Sequence, residues 1–92
     1  MDDNEAWVSY VGQRVIVDTN SSFVYVGTLE KVLDHFVVLR DADVHDRGEG
    51  PSTKEQYVMD CKRLGVNANR KEVSVRKSLV VSLSRLEDVI LY

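Results

Sequence analysis

One cysteine, one proline and three alanines are all that this 92-residue chain holds of those residue types. Cys61 alone can form neither an internal disulfide nor a multi-cysteine zinc site, which excludes a secreted disulfide scaffold and points to a reducing, cytoplasmic compartment. Long hydrophobic runs are missing too. None reaches the roughly 18 residues of a membrane-spanning helix, and the start, Met1-Asp2-Asp3-Asn4-Glu5, is acidic where a secretory leader is basic. No membrane partner is therefore expected. Catalytic signatures are also absent: there is no Gly-x-Ser-x-Gly elbow, phosphate loop or His-Glu-x-x-His pair. The run Asp41-x-Asp43-x-His45-Asp46 has the spacing of calcium-loop oxygens but lacks the glycine at the sixth position and the glutamate at the twelfth, which is Ser52. The expectation is a non-enzyme without cofactor or metal.

Valine fills the space alanine leaves, at 17 positions. β-Branched side chains lose little freedom on a pleated surface, so a mostly-β single domain spanning 1–92 is expected. The net charge of −3 is unevenly spread. Residues 1–50 carry four Lys/Arg against ten Asp/Glu, and residues 51–92 carry eight against five. Within 62–77 stand Lys62, Arg63, Arg70, Lys71, Arg76 and Lys77 against the single acid Glu72. Such a segment attracts phosphates even on an acidic molecule.

Along the chain, Asp3 or Asn4 can cap a helix over 4–11 whose Trp7, Val8 and Val11 share a face, with Gly12 ending it and Trp7 anchoring it to a sheet. Alternation then predicts three strands within 14–44, namely 14–19, 23–33 and 36–44. Asn20-Ser21-Ser22 and Asp34-His35 form the turns, and Gly27 marks a bulge or sharp bend. Residues 45–72 are too long for a plain loop. The capping box Ser52-x-x-Glu55 and the spacing of Tyr57, Val58, Cys61 and Leu64 predict an inserted helix at about 53–64, closed by Gly65. Residues 73–92 read as two strands, a long fourth over 73–83 and a fifth over 88–92. The odd positions of the fourth are apolar except Lys77, which is expected at a rim or subunit interface. The fifth is apolar, and nothing following it covers its edge. Either the sheet closes on itself or another copy pairs there.

The runs Val11-Gly12-Gln13-Arg14-Val15-Ile16-Val17, Val26-Gly27-Thr28-Leu29-Glu30-Lys31-Val32 and Val38-Leu39-Arg40-Asp41-Ala42 resemble the Gly-x-x-Val-x-Val, Gly-x-Leu and Leu-x-Asp-Ala stations of the Sm/LSm superfamily, Hfq-related proteins included. Residues 79–83 and 88–91 stand for its second motif. The resemblance implies an SH3-like, strongly bent, five-stranded open barrel with an N-terminal helix, here carrying a helical insertion between strands 3 and 4. It further implies a homo-oligomeric ring of about six or seven copies, the fourth strand of one pairing with the fifth of the next. Lys77, Leu79, Val81, Val89, Ile90 and Leu91 are the interface candidates.

The same resemblance implies binding of single-stranded RNA, with departures. Asp34 and His35 match the turn after the second strand, but Phe36 or Val37 stands where the family places an asparagine. The Arg-Gly pair after the fourth strand is replaced by a shifted Ser84-Arg85. Stacking by His35, Phe36 and Arg85 survives while the base-reading amide is lost. Phosphate contacts then fall to Lys62, Arg63, Arg70 and Lys71, giving salt-sensitive binding with weak base specificity. A competing expectation is a protein-interaction or scaffolding module whose contact surface is the inserted helix.

Overall fold

Val15 and Val17 face one side of their strand and Ile16 the other, and all three are buried. A strand apolar on both sides needs cover on both. The computed structural model, which describes residues 3–46, 48 and 53–91, supplies it. In chain order the elements are α1 (Asp3–Val8), β1 (Arg14–Thr19), β2 (Phe23–Val32), β3 (Phe36–Asp46), α2 (Lys54–Leu64), β4 (Arg70–Arg76) and β5 (Val80–Arg85). Short 3-10 turns cover Lys77–Leu79 and Leu86–Asp88. The strands form one antiparallel sheet in the order β4-β3-β2-β1-β5.

Two apolar clusters lie on this sheet. The first joins Val15, Val17, Leu29, Val37, Leu39, Ala42 and Val75, with Trp7 and Tyr10 from the N-terminal segment packed against it. The second joins Ile16, Val24, Val26 and Leu86 to Cys61 of α2, with Tyr57 and Val58 of the same helix against it. Trp7 is thus an anchor, as expected, and α2 packs Tyr57, Val58 and Cys61 on the sheet, whereas Leu64, expected on the same face, is exposed.

The strongly bent open barrel expected from the resemblance is not what forms. The sheet is open: β4 and β5 are its two edges and do not pair with each other. The physical reason lies in how the core is divided, since two clusters supported by different helices bury apolar side chains without closing the sheet. Gly27 lies at a bulge, one of the two distortions expected there. A Cβ there would stand 2.9 Å from the Ala42 Cβ and 3.1 Å from the Arg40 carbonyl oxygen, so the glycine permits close approach of β2 and β3. Between Val26↔Asp43 and Thr28↔Arg40 the partner strand carries an extra residue, and Asp41 takes up a positive φ of 49° there. The distortion is a bulge within the ladder.

The C-terminal strands differ as well. The long fourth strand expected over 73–83 is two strands, β4 and β5, broken by the turn at Lys77–Leu79 and placed on opposite edges. The turn resets the alternation, so Leu79 and Val81, expected on a buried face, are 43% and 62% exposed. The strand expected over 88–92 does not form among its described residues: a 3-10 turn leads to Val89, Ile90 and Leu91, and the last two are exposed. Among the described residues the unpaired edges are those of β4 and β5. The first helix is shorter than 4–11 and leaves Val8 and Val11 exposed, with Tyr10 packing beside Trp7 instead. Gly12, at φ 89°, donates its amide to the Leu29 carbonyl and so ties the helix exit to β2.

The inserted helix is capped one residue later than expected. Thr53 Oγ1 accepts from the Gln56 amide at 3.1 Å, while Ser52 lies outside the described residues. At the same end Lys54 Nζ donates to Asp18 Oδ1 at 2.7 Å and to the carbonyls of Thr19 and Ser21 at 3.0 and 2.7 Å. One ammonium thus fastens α2 to the β1–β2 turn. Replacing it by Lys54→Met leaves three acceptors without their donor and is expected to lower stability by about 1–2 kcal/mol, allowing for the partial solvation of Asp18. Urea midpoints check this, and hydrogen exchange should show the loss concentrated in α2.

Candidate nucleic-acid interface

Three parts of the chain meet at one corner of the sheet. The β2–β3 turn is closed by the Leu33 amide on the Phe36 carbonyl at 2.8 Å, which leaves Asp34 and His35 exposed at its tip. The end of β4 runs alongside, because Phe36 pairs with Arg76 and the Lys77 amide donates to the His35 carbonyl at 2.9 Å. The beginning of α1 completes the corner: Lys77 Nζ donates to Asn4 Oδ1 at 2.6 Å and stands 5.8 Å from the centre of the Trp7 ring.

The chemistry of this corner is planar and cationic. The Arg76 guanidinium carbon lies over the half-buried Phe36 ring, 5.0 Å from its centroid, a cation–π contact. His35 beside it is a second flat group. Arg76, Lys77 and His35 surround a surface on which a nucleobase can stack and a phosphate can be neutralised, with Asp34 the acidic group of the turn.

The other expected RNA contacts are elsewhere. Arg85 pairs opposite Val15 at the β1–β5 edge, with its guanidinium carbon 4.6 Å from the Tyr10 ring centroid. It therefore does not join His35 in a stacking site, and Arg76 is the guanidinium that the fold sets beside the turn. Lys62 donates to the Glu87 carbonyl, Arg63 is exposed on the last turn of α2, and Arg70 and Lys71 begin β4, six residues from Arg76 and so about 20 Å away. The basic segment 62–77 is spread over α2, β4 and the turn that follows β4, and is not one patch. Arg76 is not among the expected contacts; the sequence feature nearest to it is Lys77, which interrupts the apolar alternation where β4 ends. Of the interface candidates, Leu79 and Val81 flank the first residue of β5, Val89 packs on the second cluster, and Lys77 is tied to α1.

Asp43 and His45, two residues of the calcium-like run, are on β3 and face α2. The Tyr57 hydroxyl donates to Asp43 Oδ2 at 2.7 Å, and the Tyr57 and His45 rings stack 4.0 Å apart at 6°. Burial first, then the hydrogen bond to Asp43 and the neighbouring Cys61, hold the Tyr57 phenol well above its usual range. Burial likewise pushes the Cys61 thiol up. Among the described residues no three His, Cys, Asp or Glu side chains converge on a point that could hold a metal ion, and no helix is long and apolar enough to cross a membrane.

No protein-family model matches the chain, and no curated protein matches it. Solved structures do. A Sm protein of Pyrococcus abyssii, in complex with a uridine heptamer, superposes with a TM-score of 0.62 at 20% identity over 92% of this chain and 99% of that one. A Sm-like protein from Archaeoglobus fulgidus gives 0.61 at 20% identity over 92% and 95%. A chain of the NatC complex bound to CoA gives 0.52 at 18% identity over 84% and 79%. The fold of this chain is that of Sm-like proteins.

Proposed function

We propose that this Sm-like fold binds single-stranded RNA through the corner formed by His35, Phe36, Arg76 and Lys77, as a homo-oligomeric ring in the cytoplasm. The observation that carries the reading is the Arg76 guanidinium placed over the Phe36 ring, beside an exposed histidine in a turn hydrogen-bonded to the end of β4. The similar Pyrococcus protein is complexed with a uridine heptamer, which supports the choice of ligand. Two unpaired sheet edges, β4 and β5, support assembly by pairing one copy's β4 with the next copy's β5. The role is binding, with no catalytic step.

Stacking and charge tolerate every base, so weak base preference and strong salt dependence are expected. The variant His35→Ala/Arg76→Ala should weaken binding of a uridine heptamer about tenfold to a hundredfold, as the loss of one stacked base does. Arg70→Ala/Lys71→Ala, at the other end of β4, should weaken it less. Fluorescence anisotropy at two salt concentrations reads both, and native affinity in the first variant overturns the reading.

A protein-interaction role on the same fold has its own support in the exposed Leu64, Ile90 and Val81, at 81%, 77% and 62%, and in the likeness to a chain of the NatC complex. Tyr57 and Val58, in contrast, are half-buried against the sheet and offer little of the inserted helix as a contact face. Native mass spectrometry with and without the heptamer separates the readings: a ring taking up RNA supports the first, a ring ignoring it the second.

A further inference from the structure

On the other side of the sheet order from the His35–Arg76 corner, three cations from three elements converge. Arg14 opens β1, Arg85 closes β5, and Lys62 reaches in from the last turns of α2. Together with Gln13, Leu86 and Glu87 they line a cleft of about 530 Å³, within the usual range of small-ligand sites.

Arg85 is pre-organised there. Its guanidinium carbon lies over the Tyr10 ring, 4.6 Å from the centroid, its Nε donates to Gln13 Oε1, and one terminal nitrogen is 3.6 Å from Asp88 Oδ2. Three supports fix the plane, and a planar cation backed by an aromatic ring on one side can take a nucleobase on the other. Lys62 Nζ donates to the Glu87 carbonyl, and Arg14 is exposed with no ion pair among the described residues. Against these cations the cleft lining holds one carboxylate, Glu87. A flat stacking platform beside two cations without acidic partners is the arrangement a phosphorylated nucleotide requires.

We infer that this cleft binds a nucleoside monophosphate group, with the base on Arg85 and the phosphate between Arg14 and Lys62. The group is either a free nucleotide or the 5′-phosphorylated end of an RNA strand. Because Lys62 belongs to the inserted helix, the site depends on that insertion. It does not rest on the His35–Arg76 reading, since it uses none of the same residues.

Amide and Arg side-chain resonances of the full chain, titrated with UMP, uridine and inorganic phosphate, test the assignment. UMP should move Gln13, Leu86 and the Arg85 Nε, with uridine and phosphate each at least about tenfold weaker. Arg14→Ala/Lys62→Ala should weaken UMP at least about tenfold while leaving the unfolding midpoint close to native, and the single variant Lys62→Gln gives a milder form of the same loss. In the strand arm, a 5′-phosphorylated uridine oligonucleotide that outcompetes its 5′-hydroxyl counterpart, an advantage abolished by the double variant, identifies an RNA end as the occupant. Equal competition alongside UMP binding identifies a free nucleotide. Unmoved cleft resonances, equal response to phosphate alone, or native UMP affinity in the double variant each overturn the assignment.

Discussion

Gly27→Val is expected to lower the stability of this chain by about 3 kcal/mol or more, and Gly27→Ala by about 1–3 kcal/mol. The new Cβ meets the Ala42 Cβ at 2.9 Å, the Ala42 Cα at 3.0 Å and the Arg40 carbonyl at 3.1 Å. Two of these three are main-chain atoms of the paired strand, which cannot swing aside as a side chain would. Relief requires β2 and β3 to separate where Leu29 and Leu39, both fully buried, face each other just beyond. Valine adds two more carbons to the same gap. The contact with the Ala42 side chain can be removed by itself, so Gly27→Ala combined with Ala42→Gly should recover part of the loss seen with Gly27→Ala. It should not recover all of it, because the contacts to Cα and carbonyl remain. Urea unfolding of the four chains measures this coupling directly, and a Gly27→Ala midpoint equal to native would show that the strands have room to spare.

Raising the pH should unfold the protein earlier than its composition suggests. Tyr57 has a folded-state pKa above its unfolded value, because burial and the Asp43 carboxylate both oppose the phenolate. Below the unfolded pKa of about 10 the phenol is protonated in both states, and this contribution to stability is complete. Above it the unfolded chain releases the proton while the folded chain retains it, so stability falls as pH rises toward the folded value. Cys61, also raised by burial, adds to the same loss beginning near the ordinary thiol range. The slope from one proton is at most about 1.4 kcal/mol per pH unit, and solvent reaching the half-buried ring reduces it. Tyr57→Phe should therefore be less stable than native near neutrality, having lost the bond to Asp43, yet lose less on going to alkaline pH. Parallel curves for the two chains between pH 9 and about 11.5 would show that Tyr57 is not the source.

The first three strands were legible because each carries its own alternation and each is bounded by a polar turn. Val15 to Val17 and Val37 to Leu39 lie where period-two spacing puts them. The inserted helix was legible from the spacing of Tyr57, Val58 and Cys61, and its cap differed by a single position. What the pattern could not reveal was a turn hidden inside it, across which the apolar spacing of the sequence runs on while the buried positions change. Val73 to Leu83 reads as one strand, yet three residues at Lys77–Leu79 interrupt it and send β5 to the far edge. Lys77 on an otherwise apolar face was the visible mark of that break, and its reach to Asn4 of α1 lay too far away in sequence to read. The same blind spot affected the candidate site. Phe36 and His35 stood out in their turn, whereas Arg76 becomes their neighbour only through the β3–β4 pairing. Arg85, which only resembles the family's arginine in sequence position, belongs to another edge.

Cys61 sits 5% exposed where α2 meets the sheet, and it is the only thiol in the chain. Alkylating reagents need a thiolate and open access, and the closed state withholds both. Modification then proceeds only through excursions in which the helix lifts away, so its rate is a clock for that opening, readable in the natural sequence without an added label. Compared with the rate of global unfolding, this clock tells whether the insertion detaches as a unit of its own or leaves only when the whole sheet comes apart.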